Sequence, residues 1–221
     1  NLYDPASEFL LGRAADGSFP AEPNLDTWQD YYAEGTAWQY LWYVPHDLLG
    51  LADAMGGEAV MHARLLEFFE RSKRNRLGPE FPPTYYWHGN EPDIHAPWIF
   101  SALGDPAETA EWVHWVMNRY YDDTPDGLPG NDDAGTLSAW YVFAALGVFP
   151  IAGTDTYLLG APTVTHAVLD APSGAITIDA PAAGLGRSAV QETRVGETVV
   201  TGRTSHADLV GATVRFDITA P

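Results

Sequence analysis

The aromatic residues of this chain are distributed very unevenly, and that distribution constrains its fold more than any other feature. All eight Trp fall between Trp28 and Trp140, and of the 11 Tyr and nine Phe only Tyr157 and Phe216 follow Pro150. Large rings dominate the burial energy of a core, so the first 150 residues must build the bulky interior. Beyond Pro150 come short β-branched runs at 163–169, 175–178, 197–200 and 212–216, flanked by Gly, Pro or Asp. This strand-and-turn pattern predicts a small antiparallel sheet or sandwich region over 151–221.

Ahead of the break the periodicity is helical. From Glu58 to Arg74, apolar Val60, Met61, Leu65, Phe68 and Phe69 recur close to every 3.6 residues. Asp105-Pro106-Ala107-Glu108 joins a capping Asp, a first-turn Pro and a Glu at the capping-box position, and predicts a helix to about Tyr121. Thr136 to Leu146 is a third helix, closed by Gly147 as a left-handed cap. Shorter helices are expected after Glu34-Gly35, Asp47 and Asp93. Trp112 and Trp115 read as core aromatics, His62 and His114 as packing or surface residues, and 71–76 as a solvated basic helix end. The expected class is mainly α with a β tail, divided at 1–150 and 151–221.

Thirty Asp and Glu against 11 Lys and Arg give a net charge of −19. A phosphate backbone is bound by cations, so nucleic acid is excluded as partner, and an anionic membrane surface likewise. No apolar run approaches the ~20 residues of a membrane span. With no Cys, disulfides, thiol catalysis and Cys-ligated zinc are excluded too. Asn1 opens no charged-then-apolar leader, so a targeting peptide is expected to be absent or already removed.

Three acidic loops precede predicted helices: 33–36 with Glu34, 88–93 with Asn90, Glu91 and Asp93, and 129–135 with Asn131, Asp132 and Asp133. Each gap between them holds two helices, so an up-and-down bundle brings all three loops to one rim. Glycoside cleavage needs a protonated carboxyl for the leaving oxygen and an ionised one opposite it. Asp132 and Asp133, at a helix N-terminus, are biased towards the ionised form and suit a base. The same dipole opposes an acid role for Glu34, unless Tyr31, Tyr32, Trp38 and Tyr40 desolvate it. Taken singly, Glu34 reads equally as a neighbour of a helix cap and Asn131 as a turn residue. His46 reads as a loop hydrogen-bonder or a catalytic group. Trp38, Trp87 and Trp98 are suited either to stacking on a sugar or to core packing. Asp122, Thr124, Asp126, Gly127 and Asp133 match EF-hand positions 1, 3, 5, 6 and 12. The Thr, the final Asp and the prolines at 125 and 129 argue against that motif.

Three segments together resemble the calcium-dependent exo-α-mannosidases of glycoside hydrolase family 92. They are Glu34-Gly35-Thr36-Ala37-Trp38-Gln39-Tyr40 with Val44-Pro45-His46-Asp47, then His88-Gly89-Asn90-Glu91-Pro92, then Thr124 to Asp133 continuing into Ser138-Ala139-Trp140-Tyr141. The resemblance implies part of an (α/α)6 toroid with β-sandwich regions, an inverting exo-mechanism, and bound calcium. It implies Glu34 as acid and Asp133 as base, assisted by Asp132. Asn90 and Glu91 are implied at the calcium and sugar site. The substrate contacts expected from these loops and the aromatics beside them are His88, Gly89, Glu91, Trp38 and Trp87. Family members cleaving α-1,2 linkages can carry Glu where Gly89 stands, and some carry Asp where Asn131 stands. Members acting on mannosyl phosphodiesters can have Gln at the acid position, which here would require Gln39 rather than Glu34 to occupy it. The helices number about half a toroid, so the N-terminal portion of the same enzyme is the expected partner and a mannose-containing glycan the expected substrate. An extracellular or periplasmic location is expected. The alternatives are a mannosyl-phosphate hydrolase and a calcium-dependent carbohydrate-binding module.

Overall fold

A computed structural model of the chain describes residues 1–74 and 83–219. They form two compact units, Asn1–Ala96 and Pro97–Pro221.

The first unit opens with a two-stranded antiparallel pair, β1 (Tyr3–Asp4) and β2 (Phe9–Leu10). Helices α1 (Ala37–Tyr40), α2 (Leu48–Met55) and α3 (Glu58–Arg74) follow. Along α3, Met61, Leu65, Phe68 and Phe69 of the expected stripe are buried together with Ser72, while Val60, also expected there, is exposed. Trp42 tilts against Phe68 at 5.6 Å between ring centroids. The basic end of α3 is solvated as expected, with Arg71, Lys73 and Arg74 exposed. Arg71 lies over the Trp38 ring at 5.1 Å and its Nη1 donates to the Tyr85 hydroxyl at 2.6 Å. Asn75 and Arg76 lie outside the described residues.

In the second unit, α4 (Ile99–Ala102) leads to α5 (Pro106–Tyr120) and α6 (Thr136–Leu146). The Asp105 carboxylate caps α5, accepting the Glu108 amide at 3.1 Å. The Glu108 carboxylate accepts the Trp112 indole N–H at 2.9 Å, a contact the capping-box pattern does not foresee. Strands β3 (Val148–Pro150), β4 (Thr156–Leu159) and β9 (Arg203–Ser205) make a three-stranded antiparallel sheet in the order β3-β4-β9. Strands β5 (His166–Leu169), β6 (Ile176–Asp179), β7 (Val190–Val195), β8 (Thr198–Val200) and β10 (Thr213–Ile218) form the order β5-β6-β10-β7-β8. The short α7 (His206–Leu209) precedes β10.

The larger sheet corrects the expectation of a purely antiparallel tail, because β6 and β10 pair in parallel. Parallel neighbours need a long crossover, and here the chain between them passes through β7, β8, β9 and α7. One core holds Ala110 of α5, Leu146 of α6, and Ile178, Val195, Val214 and Phe216 of the sheet. The compositional break at Pro150 therefore separates helix from strand, and not one core from another.

Gly147 ends α6 at φ 71°, and a Cβ there would lie 2.6 Å from the Pro162 nitrogen. Gly147→Ala meets both a left-handed backbone and a backbone collision, so it should destabilise the protein by about 1–3 kcal/mol, read from denaturant unfolding.

Candidate active site

Two residues of the first and last acidic loops share an unusual backbone. Among the described residues only Glu8, Glu34, Asp133 and Ala134 are non-glycine with positive φ, and the values at Glu34 and Asp133 are 54° and 38°. Such conformations cost of order 1–3 kcal/mol each and persist where the surroundings over-determine them. The expected acid and the expected base are thus both held in the left-handed region.

In the first unit the structure brings two of the predicted loops together. Glu34 is exposed, its carboxylate free of hydrogen bonds among the described residues. Its carbonyl accepts the Asn90 side-chain amide at 2.8 Å, across 56 residues of sequence. Asn90 is itself buried, and Glu91 beside it is exposed. The turn carrying Asn90 closes by its own amide donating to the Trp87 carbonyl at 3.1 Å. The fully buried Asp93 supports that turn, its Oδ2 accepting the Trp87 amide at 3.0 Å while Oδ1 has no partner among the described residues. Burial raises the Asp93 carboxyl well above its ordinary value, against the lowering effect of that bond.

The loop ahead of α1 is fixed by a capping box missed in the sequence. Thr36 Oγ1 accepts the Gln39 amide at 3.4 Å and Gln39 Oε1 accepts the Thr36 amide at 3.0 Å. Gln39 Nε2 also donates to the carbonyls of Pro83 and Tyr85, both at 2.8 Å. Buried and fully engaged, Gln39 offers nothing to a substrate, which leaves Glu34 as the carboxyl of this loop.

Two of the expected sugar contacts, Trp38 and His88, are buried in this structure. Trp38 is buried, with Phe9 and Tyr85 in edge-on contact with its ring and its indole N–H donating to Asp26 Oδ1 at 3.1 Å. His88 is wholly buried, with Nδ1 sharing a 2.5 Å hydrogen bond with the Tyr86 hydroxyl. For Trp38 this is the core-packing alternative of the two readings its sequence position allows. Trp87 remains partly exposed and stacks with Trp28 at 6.5 Å and 27°, and Trp28 exposes 36% of its surface. Gly89 is half-buried in the same turn, while His46 is exposed in a 3-10 turn away from any hydrogen bond to these loops.

In the second unit Asp132 and Asp133 separate in role. Asp132 Oδ1 accepts the Ser138 amide at 2.8 Å and Oδ2 accepts the Ser138 hydroxyl at 2.7 Å, so the carboxylate caps the first turn of α6. Those bonds, the hydroxyl first, hold its pKa below the ordinary range. The exposed Asp133 carboxylate has no hydrogen-bond partner among the described residues, while its carbonyl accepts the Thr136 hydroxyl at 2.7 Å. Nearby, Tyr121, Asp122, Thr124, Leu128, Ser138 and Tyr141 line much of an open cleft of about 480 Å³. The EF-hand-like spacing is not assembled. Asp122 Oδ1 accepts both the amide and the hydroxyl of Thr124, and among the described residues no three Asp, Glu or His gather as a metal site.

The chain matches the model of the glycosyl hydrolase family 92 catalytic domain over residues 1–220, and it belongs to that family. It is 27% identical to a family 92 α-mannosidase from Bacteroides thetaiotaomicron solved with mannoimidazole, at a TM-score of 0.87, covering 99% of this chain and 31% of that one. An inverting family 92 mannosidase from the same species is 26% identical at a TM-score of 0.82, over 98% and 32%. An uncharacterised secreted glycosidase of Arthroderma benhamiae is 32% identical over 134 residues, which are 61% of this chain and 16% of that protein. The chain thus spans about a third or less of the length of these relatives.

His95 is fully buried, its Nε2 bonded to the Trp42 carbonyl at 2.7 Å, and burial lowers its pKa from 6.5 to about 4. Only the unfolded chain takes up this proton below pH 6.5, so stability is full above that value and is lost as pH falls towards about 4. The expected slope is about 1.4 kcal/mol per pH unit. His88, lowered to about 3, adds to the loss, and the raised Asp93 opposes it. The difference between wild type and His95→Gln in denaturant midpoint from pH 7 to pH 4.5 isolates the His95 share, and should grow towards neutrality.

Proposed function

We propose that this chain is the C-terminal part of an exo-acting, inverting α-mannosidase in which Glu34 is the general acid and Asp133 the general base. The observation that carries the reading is the shared left-handed backbone of these two residues, each with a carboxylate free of partners among the described residues. Glu34 protonates the glycosidic oxygen as the bond to the anomeric carbon breaks, and Asp133 takes a proton from the water attacking the opposite face. Asp132, its oxygens occupied by Ser138, stays ionised and holds the start of α6 rather than activating water itself. Asn90 fixes the Glu34 carbonyl, and Trp87 with Trp28 offers an apolar platform for a sugar face.

A terminal mannose is the substrate unit in this reading, supported by mannosidases among the similar structures. The buried engagement of Gln39 favours glycosides over mannosyl phosphodiesters, because the acid position is then a carboxyl. Calcium belongs to the reading as well. The Asn90 side-chain oxygen and the Glu91 carboxylate are hard oxygen donors of the kind calcium takes, and they fit part of a six- to eight-oxygen shell. Calcium would supply positive charge that orients sugar hydroxyls. Further ligands, and part of the sugar pocket, come in this proposal from the N-terminal portion of the enzyme, with which these helices complete an (α/α)6 toroid. The secreted relative supports an extracellular or periplasmic location, and among the described residues no helix is long and apolar enough to cross a membrane.

In the full-length enzyme, Glu34→Gln should slow hydrolysis of an α-linked mannobiose by about 10²–10⁴-fold and of a dinitrophenyl α-mannoside far less, because the latter leaving group needs no proton. Equal losses would remove Glu34 from the acid role. Chelation by EDTA should abolish turnover and added calcium restore it; sugar retention without any turnover would mark a binding module instead.

A further inference from the structure

We infer that Tyr40 is a positioning residue for Glu34, a role that rests on the acid assignment above and adds a residue to it. The Tyr40 hydroxyl closes a two-way clamp on one residue. It donates to the Ala33 carbonyl at 2.7 Å and accepts the Ala33 amide at 3.1 Å. The same ring covers Gly35, where an added Cβ would lie 2.7 Å from Tyr40 Cε2 and 2.9 Å from Cδ2. The residues immediately before and after Glu34 are therefore both held by one side chain six positions along. Between them Glu34 sits at φ 54°, with its own carbonyl fixed by Asn90 at 2.8 Å.

The clamp has a rigid base. Tyr40 is the last residue of α1, whose start is locked by the Thr36–Gln39 capping box. Its ring stacks on Tyr32 at 4.7 Å and 22°, and meets Tyr43 edge-on at 6.0 Å. Burial raises the phenol pKa, the bond with Ala33 opposes the rise, and the Tyr43, Glu34 and Glu91 charges add to it, so the hydroxyl keeps the proton it donates. A left-handed glutamate has no steric reason to stay where it is, and an exposed loop would relax within the 1–3 kcal/mol such strain represents. Tyr40 and Asn90 supply the restraint from opposite sides of the residue, Tyr40 through its neighbours and Asn90 through its carbonyl. Proton transfer to a leaving oxygen is sensitive to placement of the donor by about an ångström, so the restraint bears on the acid step specifically.

Tyr40→Phe removes both hydrogen bonds and keeps the ring on Tyr32 and Gly35, so the fold is preserved. In the full-length enzyme it should lower kcat on α-linked mannobiose by about 10- to 100-fold and on a dinitrophenyl α-mannoside by no more than about threefold. Hydrogen exchange at the Ala33 amide should quicken in the same variant. Gly35→Ala, which pushes the ring from its place, should reproduce the leaving-group split. Equal losses on both substrates, no loss, or unchanged exchange at Ala33 would overturn the proposal. If Glu34→Gln itself lost equally on both substrates, the acid assignment would fall and with it the catalytic role of Tyr40. Exchange at Ala33 would then still report whether the clamp exists.

Discussion

The account depends on a backbone constraint: a side chain placed at positive φ must be held there, because an L-residue gains nothing from that conformation by itself. At Glu34 the restraint is visible on both sides, from the Tyr40 hydroxyl on Ala33 and from the Asn90 amide on the Glu34 carbonyl. At Asp133 it comes from the first turn of α6, where Thr136 bonds the Asp133 carbonyl and Ser138 takes both oxygens of Asp132. In each loop the neighbouring polar groups are consumed in holding the backbone. Among the described residues the carboxylate at the strained residue accepts no hydrogen bond, which leaves it open to a substrate or a water.

The supporting groups follow ordinary rules of burial. Gln39, Asn90 and Asp93 are buried polar side chains, and each spends its atoms on backbone groups of the acidic loops or the segment leading into them. A buried amide bonded to three backbone groups is costly to lose, since removing it orphans several partners at once. The buried Trp38, with Arg71 over its ring, forms the floor beneath this loop rather than a surface for sugar. Rigidity here is built from many modest contacts, each of which fixes peptide planes and not the reacting carboxyl itself.

Much of the fold was legible because its signals are local. The periodicity of α3 and the Gly147 stop of α6 give their bounds to the residue, and Asp105 caps α5 as its sequence suggests. Strand β7 escaped notice because Gln191, Glu192, Thr193 and Arg194 separate its two valines and dilute the alternation. The parallel pairing of β6 with β10 is a long-range choice that no window of sequence contains. In the site, the acidic loops at helix starts were readable from residue type. Which neighbouring aromatic faces solvent was not, so the buried Trp38 and His88 were expected at the substrate and the more exposed Trp28 was not. Tyr40 lies six residues from Glu34, a spacing that matches neither one helix face nor one strand face, and only the turn through Gly35 and Thr36 brings its hydroxyl back to Ala33.

The central claim is that Glu34 and Asp133 act as a pair across one glycosidic bond. A crystal structure of the full-length enzyme with a mannose-like inhibitor tests it most directly. The account predicts their carboxyls about 6.5–9.5 Å apart on opposite sides of the anomeric carbon, the separation an inverting mechanism needs. Carboxyls about 5 Å apart, or either one turned away from the sugar, would contradict it.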